Sequence, residues 1–398
     1  MTAFRTLDAL DAKDRRVLVR VDFNVPMQDG EITDGTRIER GLPTIRELAD
    51  KGAKVIVMAH FGRPKGRAEP SMSLKPVAEA VGEALGREVA FASDCVGPVA
   101  AEAVADLPPG GVLMLENLRF HAGEEKNDPA FAQALADLGD AYVNDAFSCS
   151  HRAHASVVGV AERLPAFAGR LMQAEVEALD EALGGAARPA AALVGGAKVS
   201  TKLDVLGLIL DKVDIVVIGG GMANTFLHAK GEPIGKSLAE KEMAPTALEI
   251  MAKAKAKGVE ILLPVDAVVA KEFKPNPETR ACAVDEVAED EMILDIGPRS
   301  VDAVARKLGE ARTLLWNGPM GAFEVPPFDV GTNRVAVAAA ELTRTKGLKT
   351  VAGGGDTVAA LVHAGVLERF SYVSTAGGAF LEFLEGKVLP GIAALESD

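Results

Sequence analysis

Short runs that are apolar at every position recur along the chain, separated by stretches of helical periodicity. The first series is Val17 to Val21, Val55 to Met58, Val112 to Leu115 and Ala141 to Val143. A second comprises Ala191 to Val194, Ile215 to Ile218, Ile261 to Leu263, Thr313 to Trp316, Thr350 to Ala352 and Tyr372 to Val373. Runs without polar alternation read as strands covered on both faces, and helix-length intervals between them supply the cover. The pattern predicts an α/β fold made of two doubly wound (Rossmann-like) parallel-sheet domains. Between the two series, Leu171 to Leu179 is rich in good helix formers, and Gly184-Gly185 followed by Arg188-Pro189 ends it. The expected organisation is residues 1–170, a hinge helix over 171–185, and residues 186–384.

In open α/β sheets ligands sit beyond the carboxyl ends of the strands, so the residues after each run are the candidates for chemistry. In the first domain these are Asp22-Phe23-Asn24, His60-Phe61-Gly62-Arg63, Asn117 with Arg119, and Asn144-Asp145 followed by His151-Arg152; Arg37 lies nearby in sequence. Four arginines gathered at strand ends repel unless an anion neutralises them. The set therefore predicts a small, multiply charged ligand such as a phosphate or carboxylate.

The second domain presents glycines instead. Leu193-Val194-Gly195-Gly196-Ala197-Lys198-Val199-Ser200-Thr201-Lys202 reads as a strand that breaks into two glycines and opens a helix, with Lys198 and Lys202 on one helical face as cationic partners of a phosphate. Leu203, Leu206, Leu210 and Val213 form the expected buried stripe of that helix. Gly219-Gly220-Gly221, Asn317-Gly318-Pro319 and Gly353-Gly354-Gly355-Asp356-Thr357 end further strands, the last with a carboxylate suited to Mg²⁺. Two other motifs fail their templates. Gly235-Lys236-Ser237 has Lys230 where a Walker A loop needs glycine, and Asn224 stands where a dinucleotide fingerprint needs its third glycine or alanine.

Composition narrows the setting. The 398 residues carry a formal charge of −14, which argues against a general nucleic-acid or anionic-membrane binder, so any anion site is a local basic cluster. Cys95, Cys149 and Cys282 have no paired spacing, and the opening Met1-Thr2-Ala3-Phe4-Arg5 lacks the order of a signal peptide; a cytoplasmic protein is expected. Cys149, His151 and His154 suggest zinc, but a fourth ligand is missing.

Arg20-Val21-Asp22-Phe23-Asn24-Val25-Pro26, His60-Phe61-Gly62-Arg63-Pro64, Glu116-Asn117-Leu118-Arg119-Phe120, His151-Arg152-Ala153-His154, Gly195-Gly196-Ala197-Lys198-Val199, Trp316-Asn317-Gly318-Pro319 and Gly353-Gly354-Gly355-Asp356-Thr357 together resemble the phosphoglycerate kinase family, in order and spacing, over essentially the whole chain. The resemblance implies reversible transfer of the acyl phosphate of 1,3-bisphosphoglycerate to MgADP, giving 3-phosphoglycerate and MgATP, by direct in-line transfer after two domains facing each other across a cleft have closed. It implies that Asp22, Phe23, Asn24, Arg37, His60, Phe61, Gly62, Arg63, Arg119 and Arg152 bind the phosphoglycerate. It further implies nucleotide contacts from Lys202, Gly219, Gly220, Gly221, Asn317, Pro319, Glu324 at the ribose, Gly353, Gly354, Gly355, Asp356 and Thr357, with Asp356 holding Mg²⁺. Arg37, Lys198 and Lys202 carry the catalytic roles in this reading. A monomer is implied, with partners confined to these small molecules, and the segment from Leu384 through Pro390 to residue 398 is expected to return to the first domain.

The chain departs from the family pattern at Ser148-Cys149-Ser150, where Gly-Thr-Ala is commoner, and at Ala376, where glycine is usual. Neither change removes a charged contact. A nicotinamide-dependent oxidoreductase would need the intact dinucleotide fingerprint, and a silent nucleotide-binding homologue would be expected to have lost some of the arginines or Lys198. A carboxylate kinase of another family would need the same cations, and the motif order speaks against it.

Overall fold

The computed structural model describes residues 4–28 and 30–396. The reading made on Met1, Thr2 and Ala3 lies outside the described residues, as do the last two positions of the carboxyl-terminal segment. The chain divides into two compact units, Met1–Val176 with Val388–Asp398, and Glu177–Lys387.

The first unit is built on a six-stranded sheet in the order Val89–Ala92, Val112–Leu115, Lys54–Met58, Arg16–Arg20, Ala141–Asn144, Ala166–Ala168. Every neighbouring pair is parallel. The four central strands are the predicted apolar runs. The two edges went unread because Val89-Ala-Phe-Ala is half-exposed and Ala166-Phe-Ala is only three residues long. Helices Thr36–Asp50 and Lys75–Leu85 turn Ile38, Leu42, Ile45, Leu48, Val77 and Val81 onto the sheet's Val17, Val19, Val55 and Val57. Each such fully buried side chain is worth about 1.5–3 kcal/mol over leaving it exposed.

The second unit repeats the plan with the order Glu260–Leu262, Ile215–Ile218, Ala190–Val194, Thr313–Asn317, Lys349–Gly353, Tyr372–Ser374, again all parallel. Trp316, Leu314, Leu193 and Val335 lie at the centre of its core. It also carries a three-stranded antiparallel sheet, Thr279–Ala283, Asp266–Ala270 and Met292–Ile296, that the apolar-run pattern did not predict. Thr279–Ala283 is exposed over its first three residues, Met292–Ile296 is only half-buried at its start, and charge breaks the apolar runs at Arg280 and at the buried Asp295.

One predicted element is corrected. The helix after Gly195-Gly196 begins only at Leu203 and ends at Ile209; Lys198 lies in the loop before it and Lys202 at its cap, so the two lysines do not share a helical face. Val199 is fully buried and anchors this loop, while Gly196 holds a φ of +125° that a helical start would not have. Of the expected stripe, Leu206, Leu210 and Val213 are buried and Leu203 is exposed. Among the described residues no helix is long and apolar enough to cross a membrane.

Candidate functional site

Parallel pairing fixes where the strands end. Arg20 pairs with Met58 and with Asn144, so Asp22, His60 and Asp145 leave the first sheet along one edge. Asp22 accepts from Arg37 at 2.8 Å and from the Ser148 hydroxyl at 2.5 Å; the same Arg37 nitrogen reaches the Asn24 carbonyl at 3.2 Å. Asn24 Oδ1 accepts from the Gly62 amide at 2.9 Å, and the Arg119 guanidinium donates to the Gly62 carbonyl at 2.8 Å. The loops after three strands are thus tied together by the residues expected to bind the anion.

Asn117 explains why these loops hold. Its amide donates to the carbonyls of Phe61 at 2.7 Å and Met72 at 2.9 Å, and its oxygen accepts from the amides of Phe61 and Arg119. It is fully buried and fully satisfied, and serves as a clamp for the His60–Gly62 turn. Glu116 beside it anchors Leu74 and Ser73 at 2.8 and 2.6 Å.

The cations are not equally placed. Arg119 is buried, its Nε lacks a hydrogen bond and lies 3.4 Å from Glu125, and burial draws its pKa down. Arg37 is half-exposed, while Arg63 and Arg152 are exposed, Arg152 donating to His151 at 3.2 Å. Phe23 differs from the rest: its side chain is sealed in the core against Gly41, leaving only its backbone near the site. Cys149 comes within reach of Asp22 and His60, whereas Cys149, His151 and His154 do not gather as a ligand cluster among the described residues, and the Arg20 guanidinium stands 3.8 Å from the Cys149 sulfur, which disfavours a cation there.

Arg20 is the residue the sequence reading left without a role. It is fully buried and donates to Ser156 Oγ at 2.8 Å, to the Val21 carbonyl, and towards His60 Nδ1 at 3.1 Å. Ser156 in turn donates to Glu124 at 2.5 Å. An arginine inside a strand otherwise apolar was the available signal, since a buried cation needs partners.

In the second unit, Asn317 and Ile218 both pair with Val194, so Gly195, Gly219 and Gly318 emerge side by side. A side chain at Gly221 would come within 2.6 Å of the Ala197 carbonyl, and one at Gly220 within 2.6 Å of the Gly196 carbonyl. The loops pack backbone on backbone, which only glycine permits. The helix Gly355–His363 starts beside them, its first amides free of intrahelical partners. Lys202 donates to Asn317 Oδ1, and Asn317 donates to the Gly353 carbonyl at 2.8 Å. Burial draws the Lys202 pKa down while the nearby Asp356 and Glu385 charges oppose this. Thr357 is buried and accepts from the Gly318 amide at 2.7 Å, joining two of the glycine loops.

These loops form one end of a cavity of about 470 Å³ that includes Gly196, Gly220, Gly221, Pro319, Glu324 and Asp356. Its other walls are Leu238, Phe273, Met292, Ile293 and Leu294, drawn largely from the antiparallel sheet and its approaches. A polar, glycine-lined end and an apolar end suit a ligand with phosphates on a flat hydrophobic ring. Glu240 was also missed: it accepts from the Ser200 amide at 2.9 Å and hydroxyl at 2.5 Å, pinning the Lys198 loop.

The two departures have local accounts. Ser148 supplies the short hydrogen bond to Asp22. Ala376 is not among the residues of positive φ; the left-handed turn falls on Gly377 at +55°, so the methyl imposes no backbone strain.

A model of the phosphoglycerate kinase family matches residues 7–387. The chain is 61% identical over 395 residues to the phosphoglycerate kinase of Granulibacter bethesdensis, covering 99% of this chain and 100% of that one. It is 63% identical to that of Xanthobacter autotrophicus, with the same coverage. Among solved structures, the phosphoglycerate kinase of Coxiella burnetii superposes with a TM-score of 0.92 at 43% identity, covering 99% of both chains.

Proposed function

The chain belongs to the phosphoglycerate kinase family, and from that premise we propose how its residues divide the family's reaction between them. It is a kinase with a carboxyl acceptor: the acyl phosphate of 1,3-bisphosphoglycerate passes to ADP, giving 3-phosphoglycerate and ATP, reversibly, as a step of glycolysis. The first unit holds the phosphoglycerate through Asn24, Arg37, His60, Arg63, Arg119 and Arg152. The second holds the nucleotide, with its base against Phe273 and Leu294, its ribose near Glu324, and its phosphates over the glycine loops, Lys202 and the helix start at Gly355.

The observation that carries this division is the glycine loops' contact with one another at the polar end of an otherwise apolar cavity. Side chains are absent where phosphates must approach amides. Asp356 suits Mg²⁺: it is an exposed carboxylate on the cavity wall with no ion pair among the described residues, and Mg²⁺ typically takes one or two carboxylates together with phosphate oxygens and water. When bound, the ion supplies charge neutralisation to the nucleotide's phosphates.

Neither partner needs deprotonation, because the acceptor is already an anion. The work left to the protein is alignment and stabilisation of charge on the migrating phosphoryl. Arg37 and Lys198 are the cations available for it, Arg37 being half-exposed and Lys198 exposed. Lys202, tied to Asn317, holds the nucleotide end. Magnesium dependence, a monomeric state and a cytoplasmic setting complete the proposal. It is tested by steady-state transfer from MgATP to 3-phosphoglycerate, coupled to a dehydrogenase that removes the product. Saturable turnover, reduced on removal of Mg²⁺ and lowered about 100- to 1,000-fold in Arg37→Ala, is expected; turnover insensitive to Arg37 refutes the assignment.

A further inference from the structure

We propose that Arg20, backed by Ser156 and Glu124, is a positioning residue that locks His60 as a neutral imidazole with its proton on Nε2, so that His60 meets the phosphoglycerate as a directional hydrogen-bond donor. It does not act there as a fifth cation. The proposal rests on the assignment of phosphoglycerate to the first unit.

The direction of each proton follows from donor inventory. A guanidinium has five N–H groups and no acceptor, so whatever faces it must offer a lone pair. Arg20 NH2 lies 3.1 Å from His60 Nδ1, which makes Nδ1 the acceptor and leaves the ring proton to Nε2. The Arg20 Nε donates to Ser156 Oγ at 2.8 Å, so the hydroxyl hydrogen points away, to Glu124 Oε1 at 2.5 Å. The Ser156 amide donates to the other Glu124 oxygen at 3.0 Å. Tyr142 fixes the same segment from the sheet, donating to the Ser156 carbonyl at 2.7 Å. Every link runs one way.

The array is closed to water. Arg20, Tyr142, Ser156 and Glu124 are each at or below 1% exposure, and His60 is at 6%. The anionic end at Glu124 supplies the countercharge that a buried guanidinium requires. The charged or titratable groups near His60 are Arg20 from the strand, Arg37 from the following helix, Arg119, His154, Asp22 and the Cys149 thiol. Burial, reinforced by the four cations or potential cations among these, holds the His60 pKa well below its usual value. With Nδ1 already accepting from Arg20, a second proton on the ring would face a guanidinium N–H, so the neutral form is favoured on geometry as well.

A separation of labour follows. The arginines supply charge that falls off slowly with distance, whereas a neutral N–H rewards one orientation of the ligand. Such a donor would be blurred by tautomer exchange in a free histidine; Arg20 removes that freedom.

The test uses the full chain labelled with ¹⁵N-histidine, which has only six histidines to resolve. Long-range ¹H–¹⁵N correlation distinguishes pyrrole-like from pyridine-like ring nitrogens. His60, assigned by its absence in His60→Gln, is expected to show a pyrrole-like Nε2 and a pyridine-like Nδ1, unchanged between pH 5.5 and 8, and addition of 3-phosphoglycerate should move Nε2. The opposite tautomer, a mixture, or protonation within that range overturns the lock. A fixed Nε2–H that ignores 3-phosphoglycerate overturns instead the assignment of His60 to the ligand. Kinetics give a second reading. His60→Gln keeps an N–H at about the Nε2 position and should bind more tightly than His60→Asn, and Arg20→Met should raise the KM for 3-phosphoglycerate roughly 10- to 100-fold while kcat falls less. A fall in kcat alone contradicts the positioning role.

Discussion

Arg37 donates to Asp22 and to the Asn24 carbonyl while more than a third of its side chain stays in solvent. An ion pair of that kind adds at most about 1 kcal/mol to stability. Its loss should therefore be felt in turnover and hardly in the melting temperature. Arg37→Ala and Lys198→Ala are each expected to lower kcat about 100- to 1,000-fold, the scale of removing one preorganised donor from developing charge, with an unchanged thermal transition. Near-normal turnover in either variant would defeat its assignment. Ala376→Gly should leave kcat unchanged, because the left-handed conformation sits at Gly377; a clear gain would mean that the methyl obstructs the reaction. Residue types at strand ends were legible in the sequence as a set of cations, but their division of labour was not. Nothing in the string distinguishes the exposed Arg63 from the buried Arg119, or marks Asn117 as a clamp, because burial and hydrogen-bond partners come from segments tens of residues apart.

Elements explain what the pattern could and could not carry. Runs such as Val55 to Met58 are apolar at every position because helices cover both sheet faces, and their spacing alone identified the two parallel sheets. The antiparallel strand Met292–Ile296 was hidden by its own function as a wall: part of it faces a cavity, and Asp295 interrupts it. That aspartate ties the wall to the start of the helix Val330–Lys346, accepting from the Gly331 amide at 2.6 Å and the Ile296 amide at 2.8 Å. Burial, with Asp329 nearby, pushes its pKa up to about 8. A carboxyl raised above its unfolded value binds more protons when folded, so the stability it contributes is complete below about pH 4 and lost as pH rises through 8. Melting temperature should fall between pH 6 and 9 in the native chain and fall less in Asp295→Asn; equal slopes would contradict the account. Asp145, whose carboxyl accepts from the Leu171 and Met172 amides at 2.8 and 3.1 Å, has a pKa raised by burial to about 6 and adds a decline with the same sign at lower pH.

At the scale of the molecule, two units of one architecture have been given opposite surfaces at equivalent strand ends, side-chain cations in the first and bare backbone in the second. The resemblance in the sequence implied that division, and the loop contacts suit the proposed one: guanidinium forks for phosphoglycerate in the first unit, backbone amides for nucleotide phosphates in the second. In-line transfer with one ligand on each unit predicts that 3-phosphoglycerate and MgADP together reduce the radius of gyration in small-angle scattering; identical radii with and without ligands would count against closure. The most direct test of the division itself is calorimetric titration of each ligand separately into the native chain, Arg119→Ala and Gly221→Ala. The account predicts a crossed result. Arg119→Ala should lose roughly 10- to 100-fold in affinity for 3-phosphoglycerate and keep its affinity for MgADP, while Gly221→Ala, whose new Cβ would crowd the Ala197 carbonyl at 2.6 Å, should do the reverse. Loss of both ligands in folded variants, or exchange of the two effects, would contradict it.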